Sequence, residues 1–207
     1  MKIPSRKEII TFSIHFIAQG ILFVIVYGIT NWLASLRDSH LQLFLEYELL
    51  IPFLPEFIFI YFSIVGLFII TLFYLDQHEL SELSKSLSFA TMIAGFLFLL
   101  IPAEIGYDRK TEVDSYNFLF KIIHLLDRPY NLVPSLHITY SFLIFLWIYP
   151  KEKNSLFHNL YIIWIILICI SVLVIHQHHL IDIISGIFLA FVSFYIFGFR
   201  KRSRRNF

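Results

Sequence analysis

Long apolar runs alternate with short polar breaks along this chain. Six runs stand out, at residues 9–34, 57–75, 87–103, 134–149, 157–175 and 180–198. A helix needs about 20 mostly apolar residues to cross the hydrocarbon core of a bilayer. The pattern predicts an all-α polytopic membrane bundle of about six transmembrane helices, forming a single domain over 1–207. No run has the length or the alternation of a strand, and no repeat or low-complexity segment interrupts the series. The basic start followed by an apolar run resembles a secretory leader. The run is too long for one and no clear small-residue cleavage site follows, so it reads as a retained first span.

Two segments blur the boundaries. HELSELSKSLS (78–88) carries leucines at 80, 83 and 87, a helical stripe. It reads as a helix extension plus turn, with an interfacial helix as the alternative. LQLFLEYELLIPFLPEF (41–57) is apolar for a connecting loop. It reads either as a segment in the headgroup layer or as a packing element that caps helices.

Composition agrees with the pattern. Hydrophobic residues make up 58% of the chain and charged residues 15%, with 24 Phe and a mean hydropathy of +0.76. Soluble domains run nearer 45–50% and about 25%. The net charge of +1 offers no field for a nucleic-acid partner. The single cysteine, Cys169, excludes an intrachain disulfide.

Charge then orients the spans. Lys2, Arg6, Lys7, Lys85, Lys151, Lys153, Arg200, Lys201, Arg202, Arg204 and Arg205 fall on the side of the two termini. The other side holds Arg37, Arg109, Lys110, Lys121 and Arg128. Basic excess marks the cytoplasmic face, so both termini are expected there. Loops 35–56, 104–133 and 176–179 are expected outside, and the basic tail is expected to meet anionic lipid.

Two polar clusters fall on that outer side. In KIIHLLDRPYNLVPSLH (121–137), Pro134 and Ser135 open the fourth apolar run. Free N–H groups at a helix start favour an anion, and the Ser135 hydroxyl adds a donor. Arg128 brings a planar fork suited to phosphate oxygens, and Lys121 a second positive charge. In IHQHHLIDIISG (175–186), His178 and Asp182 are four apart and share a face if helical. A carboxylate there holds Nδ1–H and leaves Nε2 free to act as a nucleophile. His137 is placed to give and take a proton. Ser185 and Gly186 allow a close helix contact. Plainer readings exist: Lys121 and Arg128 as snorkelling anchors, Asp127 as a partner of Arg128, and His15, His40, His78 and His158 as interfacial residues. A metal site in HQHH is disfavoured because His176 and His178 do not share a helical face.

Lys121-x6-Arg128-Pro129, Pro134-Ser135-Leu136-His137 and Ser171-x6-His178-x3-Asp182 resemble, in order and spacing, the three signature motifs of the type-2 phosphatidic acid phosphatase superfamily. The resemblance implies that His178 becomes a phosphohistidine, that Asp182 orients it and that His137 protonates the leaving group. It implies that Lys121, Arg128 and Ser135 hold the phosphate, with no metal or other cofactor. Leu136 stands where the family commonly has glycine, similar to the inositol-phosphotransferase-like branch that includes inositol phosphorylceramide synthases. Val172 stands where the third motif commonly has arginine, and a protonated His176 is the expected partial substitute in holding phosphate.

The expected activity is therefore that of a membrane lipid phosphatase, with a lipid phosphate or pyrophosphate as substrate and the bilayer as partner. The expected site is the outer face of a plasma or bacterial inner membrane. A lipid phosphotransferase is the alternative, and a catalytically inactive transporter or structural protein is the alternative of another class.

Overall fold

The computed structural model describes residues 2–109, 113, 116–126 and 129–199. Its regular elements are helices, and the β-pairing among the described residues is a single parallel bridge between Leu41 and Ala103. Helix α1 spans Arg6–Ala34 and starts at a capping box in which Ser5 and Glu8 satisfy each other's backbone N–H. Helices α2 (Ile58–Phe62) and α3 (Ile64–Tyr74) continue the turn Pro55–Phe57 as one bent span. The bend sits at Ser63, whose hydroxyl donates to the Ile60 carbonyl and accepts from the Trp164 indole at 2.8 Å.

Helix α4 runs from Gln77 to Leu100, so it begins ten residues before the predicted start at 87. The reason is local. Asp76 and Glu79 form a capping box, and Leu80, Leu83 and Leu87 face the core while the polar residues between them turn outward or pair. The stretch 78–88 is thus a helix extension. Helices α5 (Asn117–Leu126), α6 (Leu136–Ile148), α7 (Ser155–Val174) and α8 (Leu180–Phe194) follow, and α8 ends in a wider turn at Tyr195–Phe199.

Among the described residues, five spans are long and apolar enough to cross a bilayer: Arg6–Ala34, Pro55–Tyr74, Gln77–Leu100, Ser155–Val174 and Leu180–Gly198. The sixth apolar run forms α6, with 13 residues. At 1.5 Å per residue that is about 20 Å, short of a core about 30 Å thick. Nine of its thirteen residues are buried, because α3, α4, α7 and α8 pack around it. Its apolar character serves protein packing, whereas α1 turns Ile14, Ile17, Ile21, Val24 and Ile25 outward.

Two close approaches lock the bundle. A Cβ on Gly186 would lie 2.7 Å from the Ser135 carbonyl oxygen, so only glycine lets α8 meet the start of α6. A Cβ on Gly95 would lie 2.3 Å from Val26 Cγ1, which fixes α4 against α1. Lipid tails are as apolar as leucine, so such packing, rather than water exclusion, holds helices together in a bilayer.

Candidate active site

The site forms where α7 hands over to α8. His176 has φ 57°, the left-handed conformation that closes many helix C-termini and that histidine tolerates better than most residues. The N–H groups of Gln177 and His178 both donate to the Val172 carbonyl at 3.0 Å. Val172 itself is buried in the main core and supports the turn through its backbone carbonyl.

This tight turn presents His178. Its Nδ1 lies 3.1 Å from Asp182 Oδ2. Asp182 Oδ2 also accepts the His179 N–H at 2.8 Å, as the third residue of α8 capping its own helix. The predicted pair is present, but its origin differs from a shared helical face. His178 precedes the helix, and capping geometry brings the carboxylate back to it. The Asp182 side chain is therefore held from two directions. Asp182 is 1% exposed and His178 5%, so the pair sits away from bulk water. With the proton on Nδ1, His178 Nε2 carries the lone pair.

The second motif is tied to the third through the backbone. The Ser135 N–H donates to the Asp182 carbonyl at 3.0 Å, and Thr139 Oγ1 donates to the Gly186 carbonyl at 3.1 Å. Ser135 is the N-cap of α6, buried, with its hydroxyl 3.4 Å from the Ile138 N–H. Upstream, Asn131 donates to the Tyr27 carbonyl at 2.9 Å and to Thr30 Oγ1 at 2.8 Å. Asn131 thus ties the segment to α1, and Ser135 ties it to α8 while opening α6.

His137 sits in the first turn of α6, its ring stacked on Tyr61 at 4.0 Å. Its Nε2 is buried and has no hydrogen-bond partner among the described residues. His137 and His178 line one cavity of about 230 Å³. The rest of its wall is apolar or aromatic, drawn from α1, α2, α3, α5 and α6. Ile122 and Ile123 of α5 close one side, and Lys121 on the same helix is exposed. Arg128, Lys110 and the basic tail from Arg200 lie outside the described residues. His176 is placed apart from this group. Its ring stacks on Tyr107 at 3.9 Å and its Nε2 lies 2.9 Å from the Ile51 carbonyl. Among the described residues, no three His, Cys, Asp or Glu side chains are grouped to hold a metal.

Sequence reasoning missed a second histidine–carboxylate pair behind the first. Glu48, 1% exposed, accepts the Leu180 N–H at 2.8 Å and the Leu45 N–H at 2.9 Å. It faces His179 Nδ1 at 3.4 Å. Of the two readings of segment 41–57, the helix-capping one describes Glu48. His179 Nε2 accepts the Gly106 N–H at 3.0 Å, and its ring lies between Phe44 and Tyr107. Burial lowers the proton affinity of His179, and the charges of Asp182 and Glu48 offset only part of that. Burial, with Glu48 and Asp182 nearby, pushes the Tyr107 phenol up to about 12, so it stays protonated and donates to the Glu48 carbonyl. The sequence marked Glu48 only as one of three glutamates, with Glu46 and Glu56, in an otherwise apolar stretch.

The described residues thus form a helical membrane bundle with a buried histidine–aspartate pair at a helix junction and a second histidine lining the same cavity. The chain belongs to the PAP2 superfamily, whose model matches residues 31–196. That superfamily generally comprises phosphatases and phosphotransferases. The chain is also similar to an uncharacterized protein of Methanocaldococcus jannaschii, 29% identical over 115 residues. The match covers 56% of this chain and 44% of that protein, so the chain spans less than half of that relative's length.

Proposed function

We propose that the chain removes phosphate from a membrane lipid phosphate or pyrophosphate through a phosphohistidine on His178. The carrying observation is the 3.1 Å contact of His178 Nδ1 with Asp182 at the mouth of a cavity that His137 also lines. His178 Nε2 attacks phosphorus, and the bond from phosphorus to the lipid oxygen breaks. That oxygen takes a proton from His137. Asp182 stays ionised and holds the ring as it gains positive character. Water then attacks the phosphohistidine, its proton passes to His137, and the N–P bond breaks to free His178 and inorganic phosphate. Ser135, Lys121 and Arg128 hold the phosphate oxygens and stabilise the charge of the transition state. For His176 to join them, its ring must leave Tyr107 and the Ile51 carbonyl. No step calls for a metal.

One residue favours a second outcome. Leu136, shared with the inositol-phosphotransferase-like branch, lines the cavity beside His137. If a lipid or sugar hydroxyl replaces water in the second half, the product is a new phosphoester.

Purified protein in detergent with EDTA, offered lipid monophosphates and pyrophosphates, separates these readings. Free phosphate that is absent with His178→Ala supports the metal-independent phosphatase. A new phosphoester without free phosphate supports the transferase. Activity that survives in His178→Ala removes His178 as nucleophile, and no product across the panel favours a protein that keeps the fold without the chemistry.

The site is proposed to face outward from a plasma or bacterial inner membrane, on the charge asymmetry of the loops. A cysteine at position 112, in a Cys169→Ser background, is expected to react with an impermeant thiol reagent in intact cells. Labelling only after lysis inverts the orientation.

A further inference from the structure

The cavity beside His137 and His178 has a floor. Tyr61 and His137 mark its upper level. Seven residues further along the α2–α3 span, about 10 Å by helix rise, Phe68 closes it. Phe68 meets the Tyr140 ring edge-on at 6.1 Å, and Phe23 of α1 meets Tyr140 from another side at 6.4 Å.

Tyr140 is pinned where it stands. Its hydroxyl lies 2.8 Å from the Gln19 amide nitrogen and 2.6 Å from Thr91 Oγ1. Gln19 is held in turn by the Ser88 hydroxyl at 3.1 Å. Gln19, Thr91 and Tyr140 are all buried. Polar groups at membrane depth keep their partners because no water replaces them. Tyr140 therefore cannot swing aside without breaking both of these buried hydrogen bonds.

Below the floor lies a second hollow, lined by Phe16, Gln19, Thr71 and Leu80 among others, and Phe68 is a wall of both. The upper cavity, at about 230 Å³, exceeds the ~150 Å³ of an apolar cavity that accepts benzene. Its depth of about 10 Å falls short of one leaflet, about half of a ~30 Å core.

We propose that this cavity receives the phosphate-proximal part of one hydrocarbon chain of the substrate, and that the Phe68–Tyr140–Phe23 floor sets how much chain the protein holds. The proposal rests on the phosphatase reading, since it takes the reacting phosphate to sit between His178 and His137. The polar end of the cavity carries the two histidines and the remainder offers only apolar and aromatic surface, which suits an alkyl phosphate entering chain first. Each methylene buried strengthens binding by about fourfold, until the chain meets the floor. Beyond that length the gain stops.

The test uses butyl, hexyl, octyl, dodecyl and hexadecyl phosphate, each below its own micelle concentration, with the full-length protein. The wild-type kcat/KM is expected to climb with chain length and then level. Phe68→Ala, which joins the two hollows, moves the levelling point to longer chains. Ile64→Phe, which fills the cavity higher up, moves it to shorter ones. The ratio of variant to wild type at each length cancels partitioning into detergent. A ratio independent of chain length in both variants overturns the proposal. If no alkyl phosphate releases phosphate at all, the monophosphate arm of the phosphatase reading fails. The cavity is then read by thermal stabilisation of His178→Ala by the same series, where a length break that moves with Phe68→Ala supports it and a flat response sinks it.

Discussion

Two histidines stand side by side in the chain and meet opposite fates. His178 and His179 each face a buried carboxylate, Asp182 and Glu48, at the start of one helix. His178 gives only Nδ1 to its partner and borders the cavity. His179 has Nε2 taken by the Gly106 N–H, Nδ1 turned to Glu48, and aromatic rings on both faces. The same pair of residue types is thus open on one side and closed on the other. A one-residue step across a helix N-terminus here decides which histidine keeps a ring nitrogen toward the cavity, the property the proposed reaction needs. The back pair braces the front one, since Glu48 holds the Leu180 N–H while Asp182 holds the His179 N–H.

The comparison breaks most readily at His178. His178→Ala is expected to lower kcat by about a thousandfold or more, because no other group replaces the nucleophile. His179→Phe keeps the stacking and is expected to keep most of the activity. If the two variants lose activity equally while both stay folded, the division into a reactive and a structural histidine is wrong.

Asp182→Asn comes next. It keeps size and one acceptor but favours the wrong tautomer of His178, so kcat should drop by about 10²–10⁴ with KM little changed. Steady-state kinetics on any accepted lipid phosphate reads this, and a change in KM alone contradicts the orienting role.

Glu48→Ala should act mainly on stability. It leaves the buried N–H groups of Leu180 and Leu45 without partners, at about 1–3 kcal/mol each. Thermal unfolding in detergent should show the loss, and Glu48→Gln should restore part of it. A Glu48→Ala protein that melts normally but has lost turnover would make the back pair more than a brace.

The smallest effect is a pH dependence. Burial makes the folded protein bind a proton at His179 less readily than the unfolded chain does. Below about 6.5, the ordinary histidine value, the unfolded state takes up that proton first. Stability should therefore fall as pH drops from about 6.5 toward the lowered folded value, and it should be fully present above 6.5. His179→Phe should flatten this part of the stability profile measured against wild type. An unchanged profile would mean that His179 does not report the closed side.

Most of the spans were legible because lipid and a helix together impose a length and a composition that no soluble element matches. The first, second, fifth and sixth runs fall within a few residues of their helices. The fourth run was legible as apolar, but its burial was not. Leu143 and Ile144 of α6 look the same in sequence as Ile21 and Ile25 of α1, yet the former pack against protein and the latter turn outward. The apolar run of α4 starts only at 87 because polar residues such as Glu82 and Ser86 precede it, but the leucine stripe over 78–88 made the helix extension legible, and only the structure shows those polar residues buried.

By itself, the sequence determined the class of protein, the helical series and the residues with the right chemistry at the right spacing. Those properties depend on composition and on local periodicity, which neighbours in the chain carry. Only the tertiary structure decided that Asp182 reaches His178 by capping its own helix, that His137 shares a cavity with it, and that Glu48 comes 132 residues along the chain to secure Leu180. Those outcomes depend on which distant segments pack together and on which nitrogen each packing leaves uncovered.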